Sequence, residues 1–342
     1  MNSKLDFEGV RLPVSAEKAL AVMTGILTGL GCDGRVADAI AEHLVDASLC
    51  GVESHGVMRV LQYARQFRSG YMSAAGKARV TKRDGQFLTI DGGGGHGIPA
   101  MQLAFDTAIE AAVDKGMSVT SITNLGHTGR HGAFAELAAE AGMLSVLIGG
   151  GNRAIWRQVA PHGGAQAKLP TNPWCLGLPG GENGPFILDF ATSTVAGGWI
   201  YAAESAGAHL PEGCLIDADG NPSTDPKAYF GGGAILPAAG QKGYALALAA
   251  ELIAEALIGP VATEANWLLI MVDTTRMTGG HTLQERAEVI LADMRGCPPA
   301  HGFGRVEVPG ERERRVREEA GGVIYIPERT WTDILALRNE LA

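Results

Sequence analysis

Glycine punctuates this chain instead of being spread along it. Many of the 48 glycines in 342 residues fall in groups, among them Gly92 to Gly95 with Gly97, then Gly126, Gly129 and Gly132, then Gly149 to Gly151, then Gly240 with Gly243. A residue without a Cβ serves tight turns and close backbone approach, to the chain itself or to a ligand. The first group follows the β-rich run Gln86–Ile90 and precedes an amphipathic stretch from Ala100 to about Asp114. Gly92, Gly94 and Gly97 therefore fit GxGxxG in the context a dinucleotide fingerprint requires. That fingerprint also needs an acidic residue about 20 positions on, at the end of the second strand, to hold a ribose hydroxyl. Here that strand, Met117–Thr123, runs into Asn124-Leu125-Gly126. The Rossmann reading is set aside, and the loop is read as a flexible turn able to cover a ligand. The next loop, Asn124 to Gly132, has two imidazoles before a helix start. It reads either as an anion cradle or as an ordinary βα loop.

Taken in order, Ser15–Leu30 has helical apolar spacing and Gly31 ends it, and Asp33 caps a second helix to about Cys50. A third helix is expected from near Ser54 to Gly70, which makes the first seventy residues a helical unit. Ala78–Thr81 and Gln86–Ile90 predict a hairpin turning at Asp84-Gly85. Strands are expected at Met117–Thr123, Met143–Ile148, Phe186–Ser193 and Asn266–Val272, and a short one after the turn at Thr171–Trp174. Helices are expected at Ala133–Ala141, Val195–Ala206 with Thr192 or Ser193 as cap, Tyr244–Leu257, Leu283–Arg295, Pro309–Glu319 and Trp331–Leu341. Asp217–Pro222 is a surface turn that lacks the downstream bidentate Glu of a calcium loop.

The length suits one large or two ordinary domains. A net charge of -9 argues against nucleic acid. The apolar run Tyr244–Ile258 is interrupted by Glu251 and Glu255 and is too short to span a bilayer. The first residues carry Lys4, Asp6 and Glu8 and no apolar leader core, so a cytoplasmic location is expected. Five scattered cysteines, Cys32, Cys50, Cys175, Cys214 and Cys297, have no ligand spacing and read as packed thiols, with no metal site.

The chemistry is concentrated in Ser54-His55-Gly56-Val57-Met58-Arg59. On a continuous helix, His55 and Arg59 project from one face. An imidazole passes protons near neutral pH and a guanidinium holds a carboxylate, which suits a small carboxylic acid that gains or loses a proton. The alternative is a solvated helix start capped by Ser54. Lys242 stands out too, because a cation at the start of a helix is unfavourable unless it meets an anion.

Six ordered motifs together resemble the malate/L-lactate dehydrogenase family of the sulfolactate-dehydrogenase-like type. They are Ser54-His55-Gly56 with Arg59, the Gly126–Gly132 loop, Thr171-Asn172-Pro173, Asp189–Ser193, Asp217–Pro226 and Gly240–Tyr244. The resemblance covers nearly the whole chain. It implies an α/β fold: a non-Rossmann, three-layer, mixed-sheet cofactor domain with a helical domain built from both chain ends. The divisions implied are residues 1–75 packing with 310–342, and 76–309 as the cofactor- and substrate-binding region. It further implies NADPH or NADH as cofactor and a homodimer with sites near the interface. Carried over residue by residue, His55 is the proton donor, Ser54 its hydrogen-bonding neighbour, Arg59 the carboxylate clamp and Thr171 a substrate contact. His127, Thr128, Gly129, Arg130 and His131, Asp189, Phe190 and Ala191, Gln241 and Lys242, and Pro309, Gly310 and Glu311 match cofactor-contacting segments. In ureidoglycolate dehydrogenase-like members the acid/base role belongs to the histidine matching His127, so that assignment stays open.

Two positions depart from the pattern. Trp199 stands where imine-reducing members carry an Asp, and Gln241 where many have His. Trp199 is read as a substrate contact that either narrows the pocket or forms an aromatic wall for a larger acid. The expected reaction is hydride transfer between NAD(P)H and C2 of a 2-oxo acid or 2-hydroxy acid. The rivals are a cyclic-imine-2-carboxylate (piperideine/pyrroline) reductase and a catalytically inactive nicotinamide-binding sensor or structural subunit. Arg130, Arg153 and Arg157 are each suited to a 2′-phosphate, and equally to pairing with surface carboxylates.

Overall fold

The computed structural model describes residues 10–277 and 282–341. Its strands are β1 (Arg11–Ser15), β2 (Arg79–Asp84), β3 (Phe87–Asp91), β4 (Met117–Leu125), β5 (Met143–Gly151), β6 (Pro173–Gly181), β7 (Gly184–Ala191), β8 (Leu215–Ile216), β9 (Pro222–Ser223), β10 (Ala234–Ile235), β11 (Ala265–Asp273) and β12 (Val323–Pro327). The helices are α1 (Ala16–Gly29), α2 (Gly34–Leu49), α3 (Val60–Arg68), α4 (Gly97–Lys115), α5 (His131–Glu140), α6 (Gly197–Ala206), α7 (Pro226–Phe230), α8 (Gln241–Glu251), α9 (Leu283–Arg295), α10 (Glu311–Ala320) and α11 (Glu328–Leu341). A π-helical turn, Leu252–Ile258, continues α8. The chain divides into two compact units. The larger takes 11–147, 175–189 and the described residues from 268 on; the smaller takes 148–174 and 190–267.

In the larger unit, local signals set the first helices. Ser15 caps α1, accepting from the Lys18 N–H at 3.2 Å, and Asp33 caps α2, accepting from the Arg35 N–H at 3.1 Å. Ala19, Val22, Met23, Ile26 and Leu27 form the buried face of α1, which packs against α2 and α11. One element absent from the expected helical unit precedes them: β1 pairs antiparallel with β12, Arg11 opposite Pro327 and Ser15 opposite Val323. Two five-residue strands so far apart in sequence carry no local mark of their pairing.

The main sheet has seven strands in the order β2-β3-β4-β11-β5-β6-β7. The expected hairpin is present, with β2 and β3 antiparallel and Gly85 at φ 59°. Strands β3 and β4 are parallel, joined through α4, so the sheet is mixed. The glycine loop between β3 and α4 is not the flexible cover expected. Gly93 and Gly94 sit at φ 64° and 69°, and a Cβ on Gly93 would lie 2.5 Å from the Lys77 carbonyl oxygen. The glycines let neighbouring backbone segments of the chain approach one another closely.

The smaller unit holds an antiparallel three-stranded sheet, β10-β8-β9, of two-residue strands too short to show a period in the sequence. Its core gathers Val159, Leu169, Ile200, Leu210, Leu215 and Ile235. Helix α6 starts later than expected, with Ala196 at its N-cap. Thr192 and Ser193 instead donate to the carbonyls of Thr171 and Val195, at 3.0 and 2.7 Å. Four cysteines are buried thiols, whereas Cys297 is exposed. Among the described residues no helix is long and apolar enough to cross a membrane.

In the larger unit one glycine sets how closely α4 meets the loop after β4. A Cβ on Gly97 would fall 2.3 Å from the Gly126 carbonyl oxygen and 2.7 Å from that of His127, so backbone would have to move. Gly97→Ala should cost about 1–3 kcal/mol, the range for overpacking. An unchanged urea midpoint in the variant would contradict the packing described.

Candidate active site

The segment that opens the site is not one helix. Glu53–His55 and Val57–Arg59 are separate 3₁₀ turns, parted by Gly56 in an extended conformation at φ -87°, ψ -162°. Ser48 of α2 is the cause. Its Oγ accepts from the Val57 N–H at 3.0 Å and donates to the Leu44 carbonyl at 3.1 Å, and a Cβ on Gly56 would lie 2.2 Å from it. The expectation of His55 and Arg59 on one helical face is thus corrected, because α3 begins only at Val60. The two residues are still brought together. Arg59 Nε donates to the Ser54 carbonyl at 2.5 Å, its Nη1 donates to Gln62, and Ser54 Oγ stands 3.0 Å from His55 Nδ1.

His127, from the loop after β4, stacks on His55 with ring centres 5.4 Å apart. Its Nδ1 accepts from the Gly129 N–H at 3.2 Å and lies 2.8 Å from Tyr63 Oη. Two further imidazoles hold backbone in the same way. His96 Nδ1 accepts from the Ile98 N–H at 3.2 Å as the cap of α4, and His43 Nε2 accepts from the Arg130 N–H at 2.8 Å. A backbone N–H only donates, so the accepting nitrogen is unprotonated in each of the three. Burial drives all of these histidines towards the neutral form. His43 and His96 are pushed down to about 3, and His127 lies well below its ordinary value through burial and the Arg59 charge. Burial and then Arg59 lower His55 to about 3.

The loop from Gly126 to Gly132 is not an open anion cradle. The Gly132 N–H at the start of α5 donates to Asp189 Oδ2 at 2.7 Å, so a carboxylate of the chain already occupies it. Asp189 Oδ1 is 3.6 Å from His131 Nδ1, and Thr128 Oγ1 is 2.8 Å from His131 Nε2. Burial raises the Asp189 carboxyl, but the His131 and Gly132 bonds outweigh it and hold it below the usual range. Arg130 is 6% exposed and meets Asp46 at 2.7 Å and Glu136 at 3.8 Å. Arg317 reaches both carboxylates as well, at 3.0 and 3.1 Å. Glu311 accepts from Arg295 at 2.7 Å and from the Val308 N–H at 3.0 Å, and the Pro309 carbonyl accepts from the Ile187 N–H at 3.1 Å. Gly310, beside them, sits at φ 96°.

Ser54, His55, Arg59, His127 to His131 and Asp189 therefore belong to one cluster of the larger unit. Thr171, Phe190, Ala191, Trp199, Gln241 and Lys242 belong to the smaller unit. There the Thr171 carbonyl is held by the Thr192 N–H at 3.0 Å. Buried Asn172, at φ 41°, donates to Glu251, which also accepts from the Gly151 N–H at 3.0 Å. Trp199 packs against the core cluster of that unit. Gln241 and Lys242 are exposed in the first turn of α8. Arg153 pairs with Glu255 at 2.6 Å, whereas Arg157 has no carboxylate partner among the described residues. No group of three or more potential metal ligands occurs among the described residues.

The sequence reading missed His43, Tyr63 and His96. His43 sits on α2 beside Ile40, Ala41 and Leu44, Tyr63 on the buried side of α3, and His96 after the glycine run at the start of α4. For His43 a polar ring inside an apolar stripe was the available signal.

With this geometry in place, the comparisons are specific. The malate/L-lactate dehydrogenase family model matches residues 14–335. An L-lactate dehydrogenase of Cupriavidus necator is 32% identical, with 96% of this chain and 98% of that protein covered. A delta(1)-pyrroline-2-carboxylate/delta(1)-piperideine-2-carboxylate reductase of Pseudomonas putida is also 32% identical, over 91% of this chain and 93% of its own length. Among solved structures, the sulfolactate dehydrogenase of Methanocaldococcus jannaschii superposes with a TM-score of 0.84 at 29% identity, covering 96% of this chain and 97% of that one.

The ion cluster behind the site makes its own prediction. Asp46→Ala leaves Arg130 with Glu136 alone and should cost about 3 kcal/mol, the low end for a broken buried pair because Asp46 is one-third exposed. A loss below about 1 kcal/mol in chemical denaturation would show that the cluster contributes only as a surface network does.

Proposed function

The chain belongs to the malate/L-lactate dehydrogenase family, and on that footing we propose that it interconverts 2-oxo acids and 2-hydroxy acids with a nicotinamide cofactor. Arg59 carries this reading. It is half-buried beside two imidazoles, tied by its own turn to Ser54 and Gln62, and has no carboxylate partner among the described residues. A partly desolvated cation without a counter-charge is costly, and a substrate carboxylate on its remaining N–H groups offsets that cost.

The two stacked imidazoles divide the work. The Nδ1 of His127 already faces a backbone donor, so its proton belongs on Nε2 and the ring serves as a hydrogen-bond donor to the substrate oxygen. The His55 ring hydrogen-bonds only to the Ser54 hydroxyl among the described residues, and a hydroxyl both donates and accepts. Neutral as it stands, His55 is the base that takes the hydroxyl proton in oxidation and, once protonated, the acid that returns it in the reverse step.

The family implies a nicotinamide cofactor, which when bound supplies or takes up the two electrons of the reaction. The donor set suits it: exposed Lys242 at a helix start needs an anion, and a dinucleotide phosphate provides one. On the larger unit this reading takes His127 to His131, Asp189 and Pro309 to Glu311 as cofactor contacts. Arg130 and Arg153 are engaged by carboxylates, which leaves Arg157 as the arginine suited to a 2′-phosphate. The mixed sheet order supports a non-Rossmann cofactor domain. Exposed Val289, Ile290 and Met294 on α9 support a homodimer. Cyclic-imine reduction is the second reading, favoured by the P. putida relative. Against it, no carboxylate hydrogen-bonds His55 among the described residues to hold it as imidazolium.

His55→Ala should lower kcat by about 10²–10⁴-fold, with cofactor affinity unchanged; wild-type turnover would remove its role. Arg59→Lys should raise KM for the acid more than it lowers kcat, because an ammonium cannot reproduce the fork. An unchanged KM would count against the clamp. Since burial and Arg59 keep His55 neutral down to about pH 3, kcat/KM for hydroxy acid oxidation should be flat between about pH 5 and 8. An acid limb near the unperturbed histidine value of about 6.5 would contradict that.

A further inference from the structure

Tyr63 lies at the centre of the larger unit's site and has no part in the reaction as described so far. It is fully buried on α3, its ring meets His96 edge-on with centres 4.3 Å apart, and its hydroxyl is 2.8 Å from His127 Nδ1. The direction of that bond is determined by a neighbour. The Gly129 N–H points at the same nitrogen and has only a proton to give, so Nδ1 is an acceptor and the phenol must donate to it.

Gly129 is itself held in place. It sits at φ 74°, a Cβ there would lie 2.3 Å from His43 Nε2, and the next N–H, that of Arg130, is bonded to that same His43 nitrogen. The N–H that orients His127 is thus set by a buried imidazole from α2, and the hydroxyl that reinforces it comes from α3.

We propose that Tyr63 is a positioning residue that acts through His127: its hydroxyl donates to Nδ1, keeps the ring proton on Nε2 and strengthens Nε2–H as a donor to the substrate oxygen. A donor on one imidazole nitrogen draws electron density away from the other, so the two hydrogen bonds reinforce each other. Tyr63 touches neither substrate nor cofactor in this scheme. The kinetic part rests on the 2-oxo acid reading above, whereas the tautomer of His127 does not.

The test therefore has two arms. In the wild-type protein, ¹⁵N NMR of the histidine rings should show His127 with Nε2 protonated and Nδ1 as a hydrogen-bonded acceptor; a proton on Nδ1 would overturn the proposal outright. Tyr63→Phe keeps the buried ring, and the Nδ1 resonance should move towards that of a less strongly bonded acceptor. In kinetics, Tyr63→Phe should lower kcat by roughly two- to tenfold, the worth of one neutral hydrogen bond, with the dissociation constant of the reduced cofactor unchanged. Tyr63→Phe with His127→Gln should be no slower than His127→Gln alone, because the phenol would have lost the group it acts through. Additive losses in the double variant would show a merely structural tyrosine and overturn the proposal. If Tyr63→Phe fails to fold, the wild-type tautomer still decides. The expected tautomer in a protein that turns over no 2-oxo acid would sustain the hydrogen-bond assignment and overturn the reaction reading.

Discussion

The donation of backbone N–H groups into imidazole nitrogens is the interaction on which this site depends. Arg130, Ile98 and Gly129 each give a proton to a histidine ring, and each gift settles which nitrogen of that ring is bare. Three of the histidines are thereby fixed as neutral acceptors by the fold. That leaves His55, bonded only to a hydroxyl among the described residues, as the ring of the stacked pair whose proton can travel. The glycines serve this arrangement. Gly97 lets α4 start against the carbonyls of Gly126 and His127, and Gly129 lets the loop lie on His43.

A second contrast assigns the charges. Arg130 is buried and Arg59 half-buried, but Arg130 is met by Asp46 and Glu136, whereas among the described residues Arg59 is met only by a carbonyl and an amide. A guanidinium whose counter-charge comes from the protein is structural; one whose counter-charge is left out invites an anionic ligand. The same comparison in the smaller unit separates Arg153, paired with Glu255, from Arg157. Position in the sequence would not have distinguished either pair.

Much of this was legible in the residues because its causes are local. Ser15 and Asp33 announce their helices, Asp84-Gly85 its hairpin, and α9 was read with its observed limits. Ser54, His55 and Arg59 stood out because their chemistry is local too. What was hidden depends on distant partners. The break at Gly56 is imposed by Ser48 on another helix, and the pairing of β1 with β12 joins the two ends of the chain. The loop before α5 looked like an anion cradle because nothing nearby fills it; Asp189, 57 positions on, does. His43 and Tyr63 were passed over because their helical positions are those of core residues.

The most direct test is to follow oxidation of NADH and of NADPH by the purified protein, at saturating cofactor, against a panel of 2-oxo acids and cyclic-imine 2-carboxylates. The arrangement of Arg59 with His55 predicts turnover of at least one 2-oxo acid, at rates exceeding those for the imines. Turnover confined to the imines, or cofactor binding with no turnover of any acid, would contradict it.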